Sequence, residues 1–276
     1  MNIFEILKAA IYGVVEGITE WLPISSTGHL ILLKEIMPLS NVTSQFWDLF
    51  LVVIQLGAIM AVVILFWNTI FPFQFKKGEP VIKKEIFSMW FKAFVSCIPA
   101  AIVGVLFGDQ MDALFYNGPC VAIALIVFGI AFILIENRNK HITPKINSLS
   151  EITYSTAVLI GIFQLIAAIF PGTSRSGATI VGALLIGVSR TVAAEYTFVL
   201  AIPVMFGASL LKLVKFGFAF TSVELITLII GMAVAFVVSL VVIRFLMSYI
   251  KKHDFKIFGW YRIVLGIVVL LYFILS

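Results

Sequence analysis

The sequence predicts an all-α polytopic membrane protein with six transmembrane helices and two re-entrant helical hairpins in an inverted repeat. Three observations carry this. The 276-residue chain is 62% hydrophobic and only 12% charged, against roughly 25% charged in soluble domains, and its mean hydropathy is +1.14. Six apolar runs come close to the roughly 20 residues that cross a bilayer. The polar residues that remain gather in two islands, 16–29 and 171–179, each placed between short apolar segments.

In chain order, the segments 3–19 and 28–37 flank the first island. Spans follow at 50–67, 90–107 and 121–135. The segments 152–170 and 178–188 flank the second island, and spans at 196–214, 225–245 and 258–275 complete the chain. Two of the four flanking segments are too short to cross, and all four abut polar breaks. They read as hairpins that enter and leave on one side, because irregular backbone at depth is tolerated only where protein buries it. The chain is then a single membrane domain, 1–276, built from repeats at about 1–136 and 152–276. Three spans per repeat is an odd number, so the second repeat is inverted, an architecture that brings broken helices together near the midplane. The runs around Gln55 and Pro203 echo each other at matching places.

Basic residues set the orientation. Lys76, Lys77, Lys83, Lys84, Arg138, Lys140, Lys145, Arg190, Lys251, Lys252 and Lys256 fall on one side, Lys34, Lys212 and Lys215 on the other. The 108–119 loop on that second side is acidic, with Asp109 and Asp112. The basic side is expected in the cytoplasm and both termini outside. The net charge of +5 thus belongs to loops beside a membrane, and no nucleic-acid partner is expected. Cys97 and Cys120 lack metal-ligand spacing and read as small hydrophobes.

The first island reads Glu16-Gly-Ile-Thr-Glu20-Trp-Leu-Pro-Ile-Ser-Ser-Thr-Gly-His29. Ionisable groups at membrane depth are costly and mark functional sites. Glu16 and Glu20 share a helix face, and their repulsion is relieved by a bound cation or by protonation of one of them. Two carboxylates beside phosphate oxygens suit Mg2+ or Ca2+. Ser25 or Ser26 stands where an N-cap belongs. His29 follows Ser26 by three residues, so a Ser/His/Glu grouping of nucleophile, base and orienter is available. The second island reads Pro171-Gly-Thr-Ser-Arg-Ser-Gly-Ala-Thr179. Arg175 among Ser174, Ser176 and Thr179 at a helix start makes an anion site suited to phosphate. Matched by spacing, Pro23 pairs with Pro171, Ser25 with Thr173 and Ser26 with Ser174. Gln55, Gln164 and Glu195 are further polar residues in apolar surroundings and are expected to support the site.

Both motifs, with Val53-Ile-Gln-Leu-Gly57 and Gly187-Val-Ser-Arg190, closely resemble those of the undecaprenyl-pyrophosphate phosphatase (bacitracin-resistance) family, over nearly the whole chain. The resemblance implies an integral membrane hydrolase that converts undecaprenyl pyrophosphate to the monophosphate, with a divalent cation and a site open to the outer face. It implies catalytic roles for Glu20, Ser26, His29 and Arg175, and substrate contacts from Ser25, Thr27, Ser174, Ser176 and Thr179. Glu16 and Glu20 would hold the metal. The partners it implies are a long-chain prenyl diphosphate and the membrane. Ser26, His29 and water all stay open as the attacking group. A secondary transporter or lipid-carrier flippase is the alternative with the same architecture. A second class of membrane lipid phosphatase needs another catalytic histidine, and His141 and His253 lie in loops far from either island.

Overall fold

A computed structural model describes residues 3–40, 42–75, 80–217 and 219–275, without the Asp112 side chain. Among the described residues the protein is helical, with no β-sheet and only two isolated bridges. Lys76 and Lys77 of the basic loop lie outside them. The helices are α1 (Ile3–Thr19), α2 (Ser26–Ile36), α3 (Ser44–Leu65), the single turn α4 (Trp67–Ile70), α5 (Lys84–Phe115), α6 (Gly118–Asn139), α7 (Tyr154–Ile169), α8 (Arg175–Leu185), α9 (Arg190–Phe216), α10 (Ser222–Ile250) and α11 (Lys256–Leu275). Six of these, α3, α5, α6, α9, α10 and α11, are long and apolar enough to cross a membrane.

The spans run further than the apolar stretches alone indicate, because capping residues outside those stretches start them. Thr43 accepts from the Phe46 amide and starts α3. Asn117 caps α6 ahead of Pro119, and Thr221 with Glu224 forms a reciprocal capping box on α10. Glu224 also accepts from Thr43 Oγ1 at 2.8 Å, tying the starts of α3 and α10 together. The expected 108–119 loop is a correction: α5 stays helical to Phe115, since nothing before Asn117 stops it.

Hydrogen bonds tie the outer ends of each short pair together. Tyr12 and Lys8 on α1 donate to the carbonyls of Met37 (3.0 Å) and Pro38 (2.7 Å), just past α2. Past α8, the amide of Ser189 donates to Ile146 O at 2.9 Å, in the segment that leads from α6 into α7. Arg138 and Asn139, at the end of α6, take up the last carbonyls of α8, groups that a helix leaves unpaired. Nearby, buried Glu136 accepts from Arg190 and from the Phe255 amide, joining α6, α9 and the approach to α11.

Packing between the halves is reciprocal. The first hairpin lies along α10 and the second along α5, while α3 meets α9 and α6 meets α11. Glycines permit this proximity: a Cβ at Gly13 would stand 2.6 Å from Gly231 O, and one at Gly161 would stand 2.5 Å from Ser96 O. In a membrane, small residues at such contacts let backbones approach where no hydrophobic force drives helices together. The two hairpin tips thereby meet inside the bundle.

Candidate active site

Both tips use the same backbone device. Ser25 and Ser174 have φ values of 75° and 68°, and among the described residues no other non-glycine residue has positive φ. Each serine caps the helix that follows, accepting from the amide three residues on, Gly28 (3.3 Å) and Gly177 (3.2 Å). Ser25 is therefore the cap and Ser26 the first helical residue. The register expected from spacing slips here. Pro23 and Pro171 are 148 apart, but the caps are 149 apart, because the second turn holds one more residue. Gly172, at φ +92°, belongs to that longer turn, and a Cβ on it would meet Val121 O at 2.5 Å. Ser25 pairs with Ser174 and Ser26 with Arg175, not Ser25 with Thr173 and Ser26 with Ser174.

Glu20 joins the tips. Its Oε2 accepts from Ser26 Oγ at 2.6 Å and its Oε1 from Arg175 at 2.9 Å. The acid–arginine pair is nearly buried, with side chains 8% and 13% exposed. Ser176 Oγ donates to the Glu20 carbonyl at 3.1 Å and lies 3.1 Å from Ser174 Oγ. A second guanidinium nitrogen of Arg175, Nη1, donates to Thr197 O on α9, which leaves three of its five N–H donors uncommitted. Thr179 is fully buried and bonds Thr197 and carbonyls of its own helix. It braces the start of α8 beneath Arg175. Thr27 is half-buried in the first turn of α2, and its hydroxyl makes no side-chain hydrogen bond among the described residues.

Glu16 is fully buried one helical turn before Glu20, within electrostatic reach of Glu20 and Arg175. Neither carboxylate oxygen has a hydrogen-bond partner among the described residues. An orphaned carboxylate at such a place calls for a cation or a proton. Gln164 holds the matching place on α7, 148 residues on. It is also buried, with its Oε1 unpartnered and its amide group 3.4 Å from Ser96 O. Gln55 bonds only within its own helix, to Leu51 O. Half-buried Glu195 lies near Lys251, toward the basic ends of the bundle. No described residues bring three or more His, Cys, Asp or Glu side chains together as a metal cage, so a cation here would rely on two carboxylates and its ligand's oxygens.

His29 is not joined to Ser26. Its Nδ1 lies 2.7 Å from the Ser25 carbonyl and its Nε2 lies 2.7 Å from the Tyr261 hydroxyl. The Ser/His/Glu grouping with His29 as the base for Ser26 is thus not formed; Glu20 occupies that place. The reason is local. The cap carbonyl one turn back captures Nδ1, and the ring stacks on Tyr261, its centroid 5.7 Å away.

Two residues of α11, neither of them marked by the island motifs, complete the cluster. Arg262 is fully buried and donates to Pro23 O (3.1 Å), Gly172 O (3.0 Å) and Thr173 O (2.7 Å). One guanidinium so satisfies turn carbonyls from both tips. The signal was available: an arginine four residues into an apolar span. Tyr261 beside it had no such signal. With His29 it stands in an apolar groove of about 460 Å³ walled by Val15, Leu22, Phe245 and Phe258.

The sequence model of the family described as Bacitracin resistance protein BacA matches residues 9–268. The chain is 67% identical over 275 residues to "Undecaprenyl-diphosphatase 1" of Clostridium acetobutylicum, covering 100% of both chains. It is 66% identical over 273 residues to "Undecaprenyl-diphosphatase" of Desulfitobacterium hafniense, covering 99% of this chain and 98% of that protein. It is 62% identical over 272 residues to the protein of that name from Enterococcus faecalis, covering 98% of each.

Proposed function

Since this chain belongs to the bacitracin-resistance BacA family, we infer that it is a multi-pass membrane undecaprenyl-diphosphatase. It hydrolyses undecaprenyl pyrophosphate to undecaprenyl phosphate and inorganic phosphate, which returns the lipid carrier to peptidoglycan synthesis and confers bacitracin resistance. The carrier alternative gains nothing from relatives that all bear the phosphatase name.

The observation that supports this chemistry best is Glu20 bridging Ser26 of one hairpin and Arg175 of the other. In our reading, Ser26 attacks the terminal phosphorus and Glu20 takes its proton. The bridging P–O bond breaks as the new one forms. Arg175 and Ser174 hold the non-bridging oxygens, where positioning and charge neutralisation dominate phosphoryl transfer, while Ser176 ties the second tip to the Glu20 carbonyl. Water then releases phosphate from Ser26. Ser25 sets the turn, Thr27 offers a free hydroxyl, and His29 exchanges a proton with the departing prenyl phosphate. A divalent cation, Mg2+ or Ca2+, fits the orphaned oxygens of Glu16, with Glu20 and diphosphate oxygens as its other ligands. When bound, it supplies positive charge to those phosphate oxygens.

We read the reciprocal packing as an inverted repeat, about 1–136 and 152–276, with both hairpins re-entrant. The Lys/Arg bias supports a reading with residues 139–154 and 250–256 in the cytoplasm and both termini outside. A cysteine at Gln110 should then react with an impermeant thiol reagent in intact cells, whereas one at Thr143 should not. The groove beside His29 runs toward the basic ends of α10 and α11. That suits a lipid of the outer leaflet, whose head faces outward and whose chain points across the midplane.

The test is phosphate release from a long-chain prenyl diphosphate by purified protein, with and without chelator. Release lost with chelator and restored by Mg2+ or Ca2+, and lost in Glu20→Gln, supports this reading. No release under any metal condition sinks it. Ser26→Ala turnover within a few-fold of normal transfers the attack to water.

A further inference from the structure

We propose that Tyr261 is a positioning residue that holds the His29 ring with Nε2 as its working nitrogen, the only one free to gain or lose a proton. The inference rests on the site read above and adds a part to it from the last span.

The hydrogen bonds define the ring. A carbonyl oxygen only accepts, so the 2.7 Å contact with Ser25 O requires a proton on Nδ1. In neutral imidazole the other nitrogen is then a lone pair, and Nε2 accepts from the Tyr261 hydroxyl at 2.7 Å. The ring planes lie 7° apart, so Tyr261 also fixes the rotation of the imidazole. A phenol hydroxyl donates and accepts. It can therefore donate to Nε2 when His29 is neutral and accept from Nε2–H once the ring is protonated. Nδ1 keeps its proton throughout. A proton arriving at His29 lands on Nε2 and leaves from there.

The surroundings keep this contact selective. The groove that holds both rings is otherwise walled by aliphatic and aromatic side chains and Thr19. Arg262, adjacent in sequence, is committed to the carbonyls of both turns, which fixes the height of α11 against the tips. Tyr261 is thus delivered to His29 by a span that is itself pinned to the site.

The experiment combines nitrogen NMR of histidine-labelled protein in micelles with steady-state kinetics on Tyr261→Phe. The wild-type His29 should show a protonated Nδ1 and a hydrogen-bonded, unprotonated Nε2, and Tyr261→Phe should shift Nε2 to its unbonded position. Turnover should fall about 10- to 100-fold, as when the outer partner that orients a metal-bound imidazole is lost, with KM little changed. In a His29→Ala background the same substitution should have no further effect. A proton on Nε2 in the wild type, or an unmoved Nε2 signal in Tyr261→Phe, overturns the proposal. So does a rise in KM alone, unchanged turnover, or an equal loss in the His29→Ala background. If the wild type releases no phosphate, the functional reading fails, and the nitrogen spectrum still decides whether Tyr261 holds Nε2.

Discussion

The two hairpins share one frame and carry opposite chemistry. Each has a buried polar residue in its first arm, Glu16 or Gln164, and a strained serine cap at the tip. After the cap the sequences diverge: Ser26 stands opposite Arg175, and His29 opposite Ala178. The first hairpin keeps the carboxylates, the Ser26 hydroxyl and the imidazole, while the second keeps the guanidinium. Neither holds a complete site. Two hairpins with the same turn device can thus each carry part of one polar cluster, so that the cluster exists only when both pack together. Glu20 and Arg175, 155 residues apart, meet across that division.

The comparison breaks most visibly at Arg175. If the second hairpin contributes bidentate clamping of phosphate oxygens, Arg175→Lys should be nearly as inactive as Arg175→Ala. Removing such a donor typically costs about 10² to 10³ in turnover, while the folded protein remains in the membrane. Near-normal turnover in the lysine variant, measured in detergent, would reduce Arg175 to a counter-charge for Glu20.

Arg262 is where the division is mended, since it binds both turns. Arg262→Met leaves three buried carbonyls without their donor, each at a cost of about 1–3 kcal/mol, so thermal stability should drop. Arg262→Lys should keep more stability but still lose on the order of 10- to 100-fold in turnover, because a compact ammonium cannot hold both turns in register. Normal melting and turnover for Arg262→Met would show that the tips meet without it.

The smallest effect tests whether the frames are equivalent. A non-glycine residue at positive φ stores about 1 kcal/mol or more, and replacing a serine cap by glycine loses only a few tenths. Ser25→Gly and Ser174→Gly should therefore each leave the melting temperature unchanged or slightly raised. A loss at one tip only would mean that the two turns are not the same device.

The sequence by itself determined the membrane class, the six spans, the two short pairs and the residue types of the site. Composition, apolar run length and capping residues act over a few residues, so they are legible in a linear string. Glu16, Glu20, Ser26 and Arg175 stood out because an ionisable or hydroxyl group among apolar neighbours is costly wherever the chain goes. Tertiary structure alone decided who meets whom. It shifted the tip register by one residue at Gly172, turned His29 from Ser26 to Tyr261, and gave Ser26 to Glu20. It also brought Arg262 across 239 residues to Pro23. These outcomes depend on how closely α1 packs on α10, α7 on α5 and α6 on α11, a balance of glycine contacts and buried carbonyls that no single segment contains.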